Sequence, residues 1–273
     1  MSEPRIPQAM RLGEKLRAAA DWLQSTSNAA RYLFFFLSLQ YLFATPYFWS
    51  ETPPQTGTIL TEGKFTEYLW AYSDLLVTLL GGVFAVSQRM RMVVAASLIA
   101  VIAVATTLAS DVMQTKQLYV ASDVAMIVFF LFTALVILHD VWTTRSVTLD
   151  TIVGSVCVYV LLGATWGFVY TLTELLSPGS FEIAASGRAV DQALLTARHY
   201  PLFMYYSFVT LTSVGYGDVI PAAPAARLLA AWEAIFGQFY MAVLVARLVA
   251  IHIARTAADA ARADRSQDYQ RKS

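Results

Sequence analysis

A run of nine residues, Thr210-Leu-Thr-Ser-Val-Gly-Tyr-Gly-Asp218, places two glycines at alternate positions. Only glycine adopts positive φ freely, so Gly215 and Gly217 permit a backbone whose successive carbonyl groups point to one side. Fixed backbone carbonyl oxygens can replace the hydration shell of a cation without adding charge. The candidate cation ligands are four consecutive carbonyl groups, with the hydroxyl group of the first residue: Ser213, Val214, Gly215 and Tyr216.

One such loop per chain has a consequence for assembly. A cage of carbonyl oxygens around an axis requires four loops, so the sequence predicts a homotetramer with fourfold symmetry. The side chains of Val214 and Tyr216 would then point away from the axis and brace the loop. Asp218 follows at the mouth, where its carboxylate would raise the local concentration of cations.

The composition predicts that these residues lie in a membrane protein. Of 273 residues, 57% are apolar and 14% are charged, against about 25% charged in soluble domains, and the mean hydropathy is +0.54. A soluble chain of this length could not bury so much apolar surface. The net charge of zero gives no support for nucleic-acid binding.

Residue types that perform catalysis are scarce. A single cysteine and three scattered histidines argue against a disulfide framework and a zinc site. The sequence contains no phosphate-binding loop and no recognisable pair of nucleophile and base. We therefore expect neither enzymatic activity nor a cofactor.

Apolar runs of about 20 residues are long enough to span the hydrocarbon core as helices. A shorter run, Pro201–Thr212, precedes the glycine loop and predicts a re-entrant segment. The six longer runs are, approximately, Ala30–Trp49, Tyr68–Ser87, Met92–Leu108, Val124–Val141, Thr151–Leu175 and Ala226–Ile253.

These runs divide the chain into four parts. Residues 1–29 form an arm with the pattern of an interfacial amphipathic helix, although a plain cytosolic helix fits equally well. A four-span membrane domain at 30–148 precedes a two-helix module at 149–254. The tail, 255–273, is too short for a ligand-binding regulatory domain. The predicted fold class is an all-α integral membrane protein.

The distribution of positive charge predicts the orientation. Most of the 19 Lys and Arg residues lie in the arm, in the tail and in the two loops that would share their side. Basic residues accumulate on the cytoplasmic side of membrane proteins. Both termini are therefore expected in the cytoplasm, with the lipid bilayer of the plasma membrane around the spans.

The chain from Thr151 to Ile253 resembles the potassium channels, whose filter reads Thr-Val-Gly-Tyr-Gly-Asp after a pore helix. Val-Ile-Pro-Ala-Ala-Pro after Asp218 resembles the family's exit from the filter. The run Gly237–Tyr240 is similar to a run in the inner helix of prokaryotic members. The resemblance implies K⁺ conduction through a filter formed by Thr212–Asp218.

The resemblance also implies roles outside the filter. Tyr205 and Tyr206 occupy the positions of an aromatic pair that braces the filter, where many members have Trp. Gly237 aligns with a hinge glycine in the inner helix, and close helix packing is an equally good interpretation. Ser213 departs from the family, which has Thr at that position.

Two charged residues in the sixth run have open interpretations. Glu233 either braces the back of the filter or pairs with Arg227 near the outer surface. Arg247 lies near the inner mouth, where it either contributes to a gate or extends to the membrane interface.

The first four spans depart from the voltage-gated subfamily of similar layout. Voltage sensing requires several Lys or Arg residues at every third position of one span, and the fourth span has none. Asp74, within the second span, either binds a proton or an ion or forms a hydrogen bond in packing. Asp123 and Asp140 lie at span ends and are expected to have no special role.

These observations predict a K⁺-selective channel that conducts passively. Two other hypotheses remain open: a non-conducting sensor or assembly subunit that keeps the channel fold, and a weakly selective cation channel.

Overall fold

The structure is a computed structural model that describes residues 30, 32–38, 64–86, 90–143, 149–184, 188–189 and 200–272. The predicted N-terminal arm lies outside these residues. Of the first predicted span, residues 32–38 are helical, and the remainder beyond 38 also lies outside them. The side chain of Asp74 is likewise not described.

Four helices follow in the N-terminal and middle parts of the chain. They are α1 (Lys64–Ala85), α2 (Met90–Met113), α3 (Lys116–Thr143) and α4 (Leu149–Leu176). Helices α2, α3 and α4 contain the predicted third, fourth and fifth spans, and α1 covers the predicted second span as far as Ala85. Each helix is longer than the bilayer core alone requires at 1.5 Å per residue.

Helix α3 begins earlier than the apolar pattern predicts. Its first residue is Lys116, so Asp123 lies about two turns inside the helix and is only 3% exposed. Nearby, Ser122 is hydrogen-bonded to Thr107 of α2 at 2.7 Å. The expectation that Asp123 lies at a span end is therefore wrong.

Aromatic and small side chains pack α1 to α4 into one core. Phe129 and Phe130 of α3 are fully buried, and Phe130 packs against Phe168 of α4 with ring centroids 5.6 Å apart. The helical segment 32–38 joins this core through Tyr32, whose hydroxyl group donates to Asp140 at 3.1 Å. Asp140 therefore helps to hold the first segment against α3.

Two further helices, α5 (Tyr200–Leu211) and α6 (Pro224–Lys272), complete the chain. Helix α6 continues without a break through residue 254, so the residues of the predicted tail up to Lys272 are helical. Its residues Pro224–Arg247 are apolar enough and long enough to cross a membrane.

A small sheet, absent from the predicted all-helical pattern, connects α4 to the segment after the glycine loop. Its strands are β1 (Phe181–Ile183), β2 (Arg188–Ala189) and β3 (Val219–Pro221), in the order β2-β1-β3. All pairs are antiparallel, and Ile183 pairs with Val219, directly after Asp218.

Four helices of the described residues are long and apolar enough to cross a membrane: α2, α3, most of α4 and the first half of α6. Two shorter apolar helical segments, Leu75–Ala85 and Leu202–Leu211, accompany them. The second has the length of a re-entrant helix. The chain is an all-α integral membrane protein, as predicted.

Candidate functional site

The candidate site begins where α5 ends. After Leu211 the chain turns sharply, because the backbone N–H groups of Val214 and Gly215 both donate to the carbonyl oxygen of Val209, at 2.9 and 3.3 Å. The last turn of α5 therefore directs the following residues back across its own C-terminal end. The negative end of the helix dipole favours a cation at this position.

The backbone from Ser213 to Gly217 alternates between negative and positive φ. Ser213 has φ of 58°, Gly215 of 58° and Gly217 of 75°. A Cβ atom at either glycine would meet no atom of this chain within 4 Å. Conformation, rather than lack of space, therefore requires glycine at these positions.

The loop is exposed in the single chain. Every residue of 212–218 is exposed, and the side chains of Val214 and Tyr216 are 53% and 71% exposed. The predicted cation ligands thus lie next to one another along a strand that this chain covers on one side only.

Tyr205 connects α5 to the far end of the loop. Its hydroxyl group donates to Oδ2 of Asp218 at 2.7 Å, and its ring stacks on Tyr216 at 6.5 Å with an interplanar angle of 4°. The other carboxylate oxygen of Asp218 accepts from the N–H group of Val219 at 3.0 Å. Tyr205 therefore connects α5 to both Tyr216 and Asp218 of the loop.

Tyr206 has a different environment from its neighbour. It is buried, with its ring edge-on to Tyr170 of α4 at 4.9 Å and to Phe181 of β1 at 5.3 Å. Through these rings Tyr206 anchors α5 to α4 and the sheet. Of the two tyrosines, it is Tyr205 whose contacts reach the loop directly.

The sheet and the end of α4 fix the end of the loop at Asp218. The N–H group of Ala184 donates to the carbonyl oxygen of Asp218 at 2.8 Å. The carboxylate of Glu174 accepts from the N–H groups of Gly179 and Phe181, at 2.6 and 2.9 Å. Glu174 thereby holds the turn that leads into β1.

Glu233 lies behind α5 and is completely buried. One carboxyl oxygen accepts from the hydroxyl group of Tyr170 on α4, and the other lies 2.5 Å from Ser207 Oγ on α5. Arg227 instead donates to the carbonyl oxygen of Pro221 at 3.1 Å. Of the two interpretations of Glu233, the contacts fit the brace between helices.

The single hydrogen of the Ser207 hydroxyl group limits which charge state Glu233 can have. Ser207 Oγ lies 2.7 Å from the carbonyl oxygen of Gly163 as well as 2.5 Å from Glu233. A hydroxyl group has one hydrogen, and the carbonyl oxygen can only accept. If Ser207 donates to Gly163, the contact with Glu233 requires a proton on the carboxyl group.

Gly237 of α6 packs against the end of α5. It is buried, and a Cβ atom at this position would collide with the carbonyl oxygen of Leu211. The same carbonyl oxygen accepts from the hydroxyl group of Tyr159 at 3.2 Å. The structure thus gives Gly237 a packing contact directly below the loop.

Gln238, the next residue, makes a contact with Ser213 that the sequence alone does not predict. Its Nε2 lies 2.9 Å from Ser213 Oγ. The signal for it is a polar residue within an apolar span, where such groups usually face protein or water. Ser207 and Tyr170 give the same kind of signal.

Arg247 lies farther along α6 and contacts the end of α3. Its guanidinium group donates to the carbonyl oxygens of Val141 and Trp142, at 2.5 and 3.1 Å, and lies 5.2 Å from the centre of the Trp142 ring. Arg247 therefore links the four-span domain to α6 by satisfying carbonyl groups at a helix C-terminus.

The arrangement provides neutral oxygen ligands and no conventional metal centre. Among the described residues, no group of three or more His, Cys, Asp or Glu side chains could hold a metal ion. Backbone carbonyl groups in a row can coordinate a cation that moves from one site to the next.

Comparison with known families agrees with this chemistry. Residues 147–253 match the family model described as ion channel. This ion-channel domain begins immediately before α4, contains α5 and the glycine loop, and ends on α6. Neither the curated proteins nor the solved structures include a significant match to the chain. Apart from the family model, the functional interpretation of this chain therefore depends on the geometry of the glycine loop and its contacts.

Proposed function

We propose that this chain is the subunit of a homotetrameric, K⁺-selective channel that conducts K⁺ passively down its electrochemical gradient. The K⁺ ligands would be the carbonyl oxygens and first hydroxyl group of a single strand: Ser213, Val214, Gly215 and Tyr216. K⁺ is the permeant ion, and no cofactor or enzymatic activity is part of the proposal.

The observation that supports it most strongly is the alternation of φ at Ser213, Gly215 and Gly217. An alternating backbone directs successive carbonyl groups to one side, which a row of ion sites requires. The row lies at the C-terminal end of α5, inside the ion-channel domain. Val-Gly-Tyr-Gly, the sequence of the row after Ser213, resembles the potassium-channel filter and supports K⁺ as the ion.

Exposure of the loop supports the tetramer. Four carbonyl groups per layer are needed around an axis, and one chain supplies one. The exposed faces of Val214 and Tyr216 would be covered by the neighbouring subunits. In the most apolar stretch of α6, only 11% of the residues are buried within the single chain. The surface of this helix is therefore available to line a pore and to contact other copies.

The orientation follows from the distribution of Lys and Arg. Both termini would lie in the cytoplasm of a cell whose plasma membrane holds the channel. The mouth at Asp218 then faces outward, and the extension of α6 beyond Arg247 enters the cytoplasm.

Flux in liposomes tests the proposal. The full-length protein is reconstituted into vesicles loaded with K⁺, and K⁺ efflux is followed with a pH dye and a proton ionophore. We expect efflux that is faster than from protein-free vesicles and that Ba²⁺ blocks. No efflux would favour a non-conducting subunit, and equal efflux from Na⁺-loaded vesicles would favour a weakly selective channel.

A further inference from the structure

We propose that Gln238 is a positioning residue for the innermost ion site, where it holds the Ser213 hydroxyl group in the orientation that a bound ion requires. This inference rests on the proposed function. It gives a role to a side chain to which neither the filter motif nor the family resemblance assigns one.

The contact depends on a close approach of two helices. Gly237 carries no side chain, so α6 lies against the carbonyl oxygen of Leu211 at the end of α5. The next side chain, Gln238, then reaches around that end, and its Nε2 lies 2.9 Å from Ser213 Oγ. Gly237 thus allows α6 to lie close to the end of α5, and Gln238 supplies a hydrogen-bond donor to Ser213, the first of the proposed ion ligands.

Ser213 stands where the potassium-channel family has threonine, and this difference explains why a hydrogen-bond donor is useful at this position. The second heavy atom on the Cβ of threonine restricts χ1, whereas the serine hydroxyl group has more freedom. A mobile hydroxyl group coordinates an ion poorly, because it must be ordered when the ion binds. A hydrogen bond from Gln238 restricts the Ser213 rotamer as the missing methyl group would.

The chemistry of the amide suits an ion site. A hydroxyl oxygen has two acceptor positions. The N–H group of Gln238 occupies one, which leaves the other for the cation and directs the hydroxyl hydrogen elsewhere. Because the amide is neutral, it orients the oxygen without adding a charge that would bind the ion too tightly for it to leave.

A double-mutant cycle in planar bilayers tests the proposal. The full chain is compared with Gln238→Leu, Ser213→Thr and the double variant, and the measured quantity is the Ba²⁺ concentration that blocks half the current. Ba²⁺ has the size of K⁺ and reports on the ion site. Gln238→Asn is the matched control, because it keeps the amide but is one methylene group too short for the contact.

We expect Gln238→Leu and Gln238→Asn each to raise the half-blocking concentration about fivefold, the effect of one net hydrogen bond. In the Ser213→Thr background the same substitutions should change it by less than about twofold, because the methyl group already restricts the rotamer. Equal effects in both backgrounds, or none in either, would overturn the proposal.

Reversal potentials under a K⁺/Na⁺ gradient separate this proposal from the proposed function. A selective full chain with an additive cycle would refute only the role of Gln238, and an unselective full chain would refute both. Size-exclusion chromatography monitors assembly. If neither Gln238 variant assembles and Ser213→Thr does not restore assembly, Gln238 serves packing and the proposal is wrong.

Discussion

Ser213 has φ of 58° although it has a side chain, a backbone conformation that costs roughly 1–2 kcal/mol for an L-residue other than glycine. Its N–H group donates to the carbonyl oxygen of Thr210 at 2.9 Å, and its hydroxyl group contacts Gln238. Both contacts stabilise the conformation. Gly215 and Gly217 adopt positive φ without this cost.

Replacement of Gly215 tests the requirement for positive φ. Gly215→Ala should lower stability by roughly 1–2 kcal/mol per chain and abolish K⁺ efflux from liposomes, because the displaced carbonyl group no longer faces the ion. Gly179 is the matched control: it also has positive φ, 81°, with open space around its Cα, but it lies in the turn after α4. Gly179→Ala should lose similar stability and retain efflux. Equal efflux from both variants would contradict this assignment of the ion path.

Substitution of Glu233 tests whether its carboxyl group is protonated. Glu233→Gln keeps a donor for Ser207 and an acceptor for Tyr170, so it should retain the melting temperature of the tetramer. Glu233→Leu leaves the buried hydroxyl group of Tyr170 without its acceptor, while Ser207 can still donate to the carbonyl oxygen of Gly163, and it should cost about 1–3 kcal/mol. If the Gln variant is as unstable as the Leu variant, the carboxyl group is charged and the hydrogen count is wrong.

Among the elements, three helices supply the contacts around the loop from Ser213 to Gly217. Helix α4 contributes Tyr170 and Tyr159, α5 contributes Tyr205 and Ser207, and α6 contributes Glu233 and Gln238. The sheet β2-β1-β3 fixes the end at Asp218. The loop therefore has supports at both ends and behind it.

Gly237 is expected to serve this packing. Gly237→Ala places a methyl group against the carbonyl oxygen of Leu211, which should displace α6 from the end of α5. Tetramer assembly on size-exclusion chromatography and K⁺ selectivity should both decrease. The hinge interpretation predicts instead a lower open probability with unchanged assembly and selectivity, and that result would refute the packing role.

Arg247 is expected to couple the four-span domain to α6. Arg247→Gln removes a cationic donor from the carbonyl groups of Val141 and Trp142, at a cost of about 2 kcal/mol. Single-channel open probability should change, with an open–closed equilibrium shifted roughly thirtyfold, while the reversal potential stays the same. Arg227→Gln removes the same charge at the outer end of α6 and should leave the open probability unchanged. Unchanged gating in Arg247→Gln would assign this side chain to anchoring only.

In the whole molecule, four of the six apolar runs coincide with helices that are long and apolar enough to cross a membrane among the described residues, because the thickness of the hydrocarbon core sets the length of such runs. They do not predict helix ends. Helix α3 continues through the polar residues before Val124, and α6 continues beyond Ile253, since a helix need not end where the lipid ends. The sheet is missed because its strands have two or three residues and depend on pairing between distant segments.

The positive φ of Gly215 and Gly217 could be predicted from local chemistry, since only glycine adopts it freely. The contacts that support the loop could not be predicted. Ser207, Tyr170 and Gln238 are assigned only when three helices are brought together, and the different environments of Tyr205 and Tyr206 depend on how α5 is rotated against α4. Polar residues in apolar spans indicate that such contacts exist, without identifying the partners.

Selective conduction of K⁺ through the loop from Ser213 to Gly217 is tested most directly by the reversal potential of the reconstituted full-length chain. The chain is placed in a planar bilayer with K⁺ on one side and Na⁺ on the other. We expect a current that reverses close to the K⁺ equilibrium potential. A current that reverses near zero would contradict it.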